Sequence, residues 1–258
     1  MSFDKFKRGE SRPLIWAHRG ASGYAPENTL IAFARAAELG ADGVELDVQL
    51  TKDGQLVVIH DEWLERVSDG TGWVKDHTLE ELKSYNYNKT HPEYERAEIP
   101  TLREVYELLK PTGLTINVEL KTSVVFYEGI EEKVIALTRE MGMEDQVLYS
   151  SFNHYTCVNM HKLDPECYVG FLYSDCPIGM ADYAASYGAD ALHPALYLMQ
   201  LPGYMQEAAE NGLDVNSWTI NEPEHMLMAC RLGINAIITN YPDRALELAK
   251  QNGNLSRE

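Results

Sequence analysis

The chain has 258 residues and a mass of 29.2 kDa, enough to bury roughly three quarters of its unfolded surface on folding. It carries 22 basic and 40 acidic side chains, a formal charge of −18, and a field of that sign repels nucleic acid and anionic lipid headgroups. A composition of 45% hydrophobic and 24% charged residues excludes broad disorder, and no run approaches the ~18 apolar residues of a membrane span.

The N-terminus, MSFDKFKRGE, has no apolar h-region. The expected setting is therefore the cytoplasm, with no nucleic acid partner and no stable membrane association. Monomer and homodimer are both compatible with the sequence. Cys157, Cys167, Cys176 and Cys230 form no CxxC pair and are expected to pack as small reduced apolar residues.

Strands are predicted at Leu14–His18, Gly43–Leu50, Leu114–Lys121, Val147–Phe152, Tyr168–Tyr173, Ala189–His193, Asp214–Thr219 and Ala236–Thr239. Most are followed by helical periodicity. Leu30, Phe33, Ala34 and Ala37 fall on one helical face that stops at Gly40. Leu102, Val105, Tyr106 and Leu109 repeat the spacing behind a Thr101-x-x-Glu104 capping box. Later helices are predicted at Glu128–Met141, Tyr155–Leu163, Met180–Tyr187, Gln200–Asn211, Pro223–Leu232 and Pro242–Gln251.

This alternation implies parallel strands joined by right-handed crossovers, and its count suits a (β/α)₈ TIM barrel. An open doubly wound sheet produces the same alternation. Residues 61–100, rich in charge, Tyr and Gly, are too long for an ordinary βα loop. They are expected to form an insertion after the second strand, over the mouth of a single barrel domain spanning residues 1–258. A substrate lid and a decorative insertion fit them equally.

The chemistry sits in the strands. In Val44-Glu45-Leu46-Asp47-Val48, alternation places Glu45 and Asp47 on the face opposite the apolar residues, and Asn117, Glu119 and Lys121 share a face in the next long strand. Helices cover the outside of a parallel barrel, so the apolar set belongs outside and the acids point inward. Three inward carboxylates repel and are costly to desolvate; a divalent cation resolves this, and all-oxygen ligands suit Mg²⁺ or Ca²⁺. Acids on the exposed face of an edge strand would show the same pattern.

Asp53-Gly54 reads as a two-residue hairpin turn, a register that sets Asp47 opposite His60; a longer turn would put Val58 or Ile59 there instead. His18 and Arg19 end the first strand ahead of Gly20 and Gly23, where barrel catalysis occurs. Asn28 or Thr29 suits a helix cap. His193-Pro194 ends the sixth predicted strand and is a further candidate for substrate contact. Tyr85, Tyr87, Tyr94, Phe152 and Tyr173 are candidates for lining an alcohol pocket or for packing. His77, His91, His154, His161 and His225 read as surface or packing residues.

In order, His18-Arg19-Gly20, Pro26-Glu27-Asn28-Thr29, Glu45-x-Asp47, His60-Asp61, Pro100-Thr101-Leu102, Glu119-x-Lys121, Val215-x-x-Trp218-Thr219-x-Asn221 and Thr239-Asn240-Tyr241-Pro242 resemble the glycerophosphodiester phosphodiesterase family. Each motif is weak alone; their order over nearly the whole chain is specific. The resemblance implies a TIM barrel with an insertion after the second strand, and hydrolysis of glycerophosphodiesters to sn-glycerol 3-phosphate and an alcohol. It implies one divalent cation on Glu45, Asp47 and Glu119, and His18 and His60 as an acid–base pair. It further implies phosphoryl contacts from Arg19 and Lys121, Glu27 orienting Arg19 or His18, and Trp218 as an apolar wall near the glycerol.

A phosphodiester needs charge neutralisation, a base for the attacking hydroxyl and an acid for the leaving alkoxide, and this residue set holds all three. Attack by water and attack by the substrate's own 2-hydroxyl fit equally. A phospholipase-D-like or phosphoinositide phospholipase would need a basic or apolar membrane-facing rim, and the chain has no basic amphipathic stretch. A non-catalytic metal- or phosphate-binding barrel would be expected to lack a histidine. Schiff-base chemistry at Lys121 conflicts with its nearness to Glu119, which favours the ammonium.

Overall fold

Apolar–polar alternation builds strands wherever one face can be buried. The computed structural model describes residues 3–9 and 12–255, the last four by backbone alone. Its strands are β1 (Leu14–His18), β2 (Gly43–Leu50), β3 (Leu56–Val58), β4 (Thr115–Leu120), β5 (Val147–Ser151), β6 (Val169–Tyr173), β7 (Ala191–Pro194), β8 (Asp214–Ser217) and β9 (Ala236–Thr239). All but β3 pair in parallel, and β9 pairs back onto β1, which pairs with β2. The sheet is therefore closed. It is an eight-stranded TIM barrel, and the open-sheet alternative is excluded.

The principal helices are α1 (Leu30–Glu38), α2 (Leu79–Ser84), α3 (Leu102–Leu109), α4 (Ile130–Glu140), α5 (His154–Leu163), α6 (Met180–Ser186), α7 (Tyr204–Glu210), α8 (Pro223–Leu232) and α9 (Pro242–Leu255). The predicted capping box forms at α3, with Thr101 and Glu104 each bonding the other's backbone N–H. The helix expected from Gln200 starts later. Pro202 and Gly203, the latter at φ 81°, separate a short 3₁₀ turn at Leu196–Gln200 from α7.

Val44, Leu46 and Val48 pack outward with Phe33, Leu102 and Val105, as the alternation requires. Inside, Trp16, Leu148 and Ala191 pack in the lower barrel beneath Ile238, which lines the cavity above, and Phe6 joins them against the edge of Tyr168. With the lower half packed around a buried His193–Asn216–Asn235 hydrogen-bonded chain, the carboxylates gather in the upper half, towards the C-terminal ends of the strands.

The hairpin departs from the predicted register. β2 pairs with β3 as Val48↔Val58 and Leu50↔Leu56, so the turn has three residues and Ile59, not His60, lies opposite Asp47. Thr51 explains the wider turn. Its hydroxyl accepts from the Gln55 N–H (2.9 Å) and donates to Asp53 (2.6 Å), while Gly54 takes a left-handed φ of 74°.

Residues after β3 gather a small core of their own, in which Leu64, Val67, Val74, Leu82, Tyr87 and Ile99 are buried. No helix among the described residues is long and apolar enough to cross a membrane. Cys157 and Cys167 are buried, but Cys176 is exposed, against the expectation that all four cysteines pack.

Candidate active site

The turn after β1 is tightly wound. Arg19 adopts φ 55°, a costly conformation for a residue with a Cβ, and Gly20 follows at φ 78°, where any Cβ would sit 2.7 Å from Ala32. The strained turn aims the Arg19 N–H at Glu45 Oε2, 2.9 Å away. Asn28, also at φ 55°, donates from Nδ2 to Asp47 Oδ2 at 2.8 Å. The capping is done by Thr29, whose hydroxyl accepts from the Ala32 N–H. Asn28 instead orients an acid.

Strand register assembles the acids. His18 pairs with Glu45, Glu45 with Asn117, and Asp47 with Glu119. Glu45, Asp47 and Glu119 are 4%, 0% and 7% exposed, and ligand oxygens from the three lie within 4.8 Å of one another. Burial, then the neighbouring Asp47 and Glu119, raises the Glu45 pKa well above the carboxylate range. Burial also raises Glu119, against the pull of Lys121. Asp47 is held below its ordinary value: burial opposes this, but His60, Arg19 and Lys121 outweigh it. Asp47 Oδ1 is buried and accepts no hydrogen bond. Close, buried, all-oxygen carboxylates with one orphaned oxygen are a donor set that fits a hard divalent cation.

Two cations flank the acids. Lys121 Nζ lies 2.9 Å from Glu119 and 3.8 Å from Asp47. Burial alone would lower its pKa, yet these two carboxylates raise it above the ordinary lysine value. Arg19 binds Glu27 at 2.8 Å and approaches Asp47 at 3.5 Å. Glu27 also receives Arg66, whose Nε donates to Asp61 at 2.5 Å.

Each histidine is held at Nδ1 by an acceptor. His18 Nδ1 lies 2.7 Å from Asn240 Oδ1, and His60 Nδ1 lies 2.6 Å from Asp61 Oδ1. Burial, then Arg19, pulls the His18 pKa down to about 3. His60 reaches the site although β3 ends at Val58: its carbonyl and those of Ile59 and Asp61 accept from the Gln49 amide, which bends the chain inward.

A cavity of about 310 Å³ unites His18, Arg19, Glu45, His60, Asn117 and Glu119 with an apolar wall that includes Phe152, Leu172 and Trp218. Phe152, Trp218 and Lys121, expected inside strands, lie just beyond the strand ends. Phe152 meets Trp218 edge-on at 5.3 Å, and Lys121 Nζ stands 5.9 Å from the Phe152 ring.

Other candidates fall outside this cavity. His193 is fully buried below it, bonded to Asn216 at 2.9 Å, with its pKa lowered by burial to about 3. Tyr87 is buried in the insertion core, Tyr85 packs against Gly70, and Tyr94 donates to the Tyr24 carbonyl. Asn240, Asp61, Asn28 and Arg66 were given no site role by the sequence. The first three sit within quoted motifs, so adjacency to the histidines and acids was a usable signal. Arg66 had none, because its contact with Glu27 spans 39 residues.

A closed barrel with acids, imidazoles and cations gathered at the C-terminal strand ends defines an enzyme of the (β/α)₈ class. Residues 18–244 match the model of the glycerophosphoryl diester phosphodiesterase family. The chain is 42% identical over 243 residues to a glycerophosphodiester phosphodiesterase of Caldanaerobacter subterraneus subsp. tengcongensis, covering 94% of this chain and 100% of that one. It is 40% identical to a glycerophosphodiester phosphodiesterase of Bacillus altitudinis, covering 92% and 98%. A solved Oleispira antarctica phosphodiesterase, in complex with the product sn-glycerol-3-phosphate, superposes with a TM-score of 0.80 at 32% identity, covering 92% and 96%. The chain belongs to the glycerophosphoryl diester phosphodiesterase family.

Proposed function

We propose that this enzyme hydrolyses glycerophosphodiesters to sn-glycerol 3-phosphate and an alcohol by acid–base catalysis between His18 and His60, with one divalent cation, Mg²⁺ or Ca²⁺. The observation that carries the proposal is the single cavity lined by two Nδ1-anchored imidazoles and by Glu45 and Glu119, with Asp47 buried within 4.8 Å of both acids. Glu45, Asp47 and Glu119 would hold the cation, which when bound supplies positive charge to the phosphoryl oxygens and orients the glycerol hydroxyls.

The protein's own groups do the rest. Arg19 and Lys121 neutralise the phosphoryl group, which the net charge of −18 would otherwise repel. Asn240 Oδ1 holds the His18 proton on Nδ1, which leaves the Nε2 lone pair to accept a proton from the attacking hydroxyl. Asp61 accepts from His60 Nδ1 and fixes the ring, whose Nε2–H protonates the leaving alkoxide. Glu27 fixes Arg19, and Trp218 with Phe152 forms an apolar wall. Residues 61–100 contribute Asp61 and Arg66 and act as a fixed roof of the single barrel domain.

The test is turnover of glycerophosphoethanolamine by chelator-stripped enzyme supplied with Mg²⁺ or Ca²⁺. Release of sn-glycerol 3-phosphate only with an added ion is expected. Full turnover by the stripped enzyme would remove the cation from the proposal.

A further inference from the structure

Beside the catalytic cavity lies a groove that shares two of its walls. Phe152 and Leu172 line the cavity on one side and a hollow of about 530 Å³ on the other. That hollow continues over Tyr173, Pro177 and Met180 into a second one of about 320 Å³, bounded by Leu198 and Leu201. No Lys or Arg among the described residues lines either hollow; the acids there are Asp175 and Glu207. Ile178 stands fully exposed at the junction, and Leu201 and Tyr183 are also open to water.

Apolar side chains clustered in a concave, solvent-facing channel mark a ligand surface. Three observations select the occupant. The channel abuts, across Phe152 and Leu172, the cavity where the phosphoryl group is proposed to sit. Its acidic lining and lack of basic residues disfavour an anionic lipid surface or a carboxylate ligand. The carboxylate cluster lies on β2 and β4, whereas Phe152 and Leu172 lie at the ends of β5 and β6. A diester whose polar glycerol faces the acids thus sends its other arm over Phe152.

We infer that this channel is a subsite for an apolar alcohol arm, so that the enzyme prefers diesters carrying an uncharged chain of several carbons to those with a small polar headgroup. The inference rests on the hydrolytic function proposed above. Each methylene that leaves water on binding is worth up to roughly fourfold in affinity.

The test compares glycerol 3-phosphate esterified to ethanol and to n-octanol, below the micellar onset of the octyl ester, in wild type, Ile178→Asp and Leu201→Asp. The wild type is expected to favour the octyl ester in kcat/KM by at least about tenfold, through a lower KM. Each variant is expected to cut that ratio at least about fivefold. Equal use of both esters overturns the subsite and leaves hydrolysis standing. Turnover of neither ester overturns hydrolysis and the subsite with it. Equal use together with a wild-type dimer that Ile178→Asp dissociates in sedimentation would overturn the subsite and assign the channel to a second copy.

Discussion

Arg66 and Glu27 form a two-toothed ion pair, both Arg66 terminal nitrogens lying 2.8 Å from Glu27 oxygens. The same guanidinium holds Asp61, the acceptor on His60, and the same carboxylate holds Arg19. One side chain from the inserted segment therefore ties a proposed catalytic imidazole to a proposed phosphoryl-binding arginine. Arg66→Gln should lower kcat by about tenfold to a hundredfold, since misplacement by an ångström costs that much. Arg66→Lys should restore only part, because an ammonium lacks the planar fork. Steady-state kinetics on both variants checks this, and a KM-only effect would contradict it.

The pair also sets a pH dependence. Glu27 is held below its ordinary pKa: burial opposes this, and Arg66 and Arg19 prevail. Asp61 is depressed likewise, against burial, by His60 and Arg66. A carboxylate with a depressed folded pKa contributes stability that is complete above its unfolded value and lost as pH falls through the folded one. The melting-temperature gap between wild type and Arg66→Gln should therefore be widest above about pH 5 and narrow towards about pH 3. A gap that stays constant with pH would show that Arg66 stabilises by packing.

His18→Ala and His60→Ala should each lower kcat by about a hundredfold or more, the usual worth of a positioned acid or base. Near wild-type turnover in either would remove that histidine from the pair.

A cation bound among the three carboxylates stabilises the folded state alone. Thermal melts of chelator-stripped protein should shift upward with Mg²⁺ or Ca²⁺ and keep rising with ion concentration, the folded state gaining about 2.7 kcal/mol at a hundredfold excess over Kd. Glu119→Gln should abolish the shift. An unshifted wild-type melt with both ions would contradict the proposed site.

Asn28 reaches the same cluster through Asp47, bonding one oxygen at 2.8 Å. Asn28→Ala should weaken cation affinity by about tenfold to a hundredfold, as loss of a group that orients a ligand does. Calorimetric titration of the stripped protein measures it, and unchanged affinity would confine Asn28 to the turn.

What could be read from residue order and what could not divides along physical lines. Alternation in β2 and β4 depends only on the two-residue strand repeat, so the inward acids were legible before any fold was known. The hairpin register was not, because Asp-Gly supports turns of more than one length and the Thr51 hydroxyl decided between them. Carrying His60 inward fell to Gln49, through three carbonyl contacts that no spacing rule predicts.

By itself the sequence determined the strand–helix alternation, the acid-bearing strand faces and the ordered motifs, because each reflects local periodicity or adjacency. Only the tertiary structure decided barrel closure, the Asn240 and Asp61 anchors on the two imidazoles, the Arg66 bridge and the apolar channel beside Phe152. Those arise between distant segments, whose side chains meet only when the packed sheet fixes their separation.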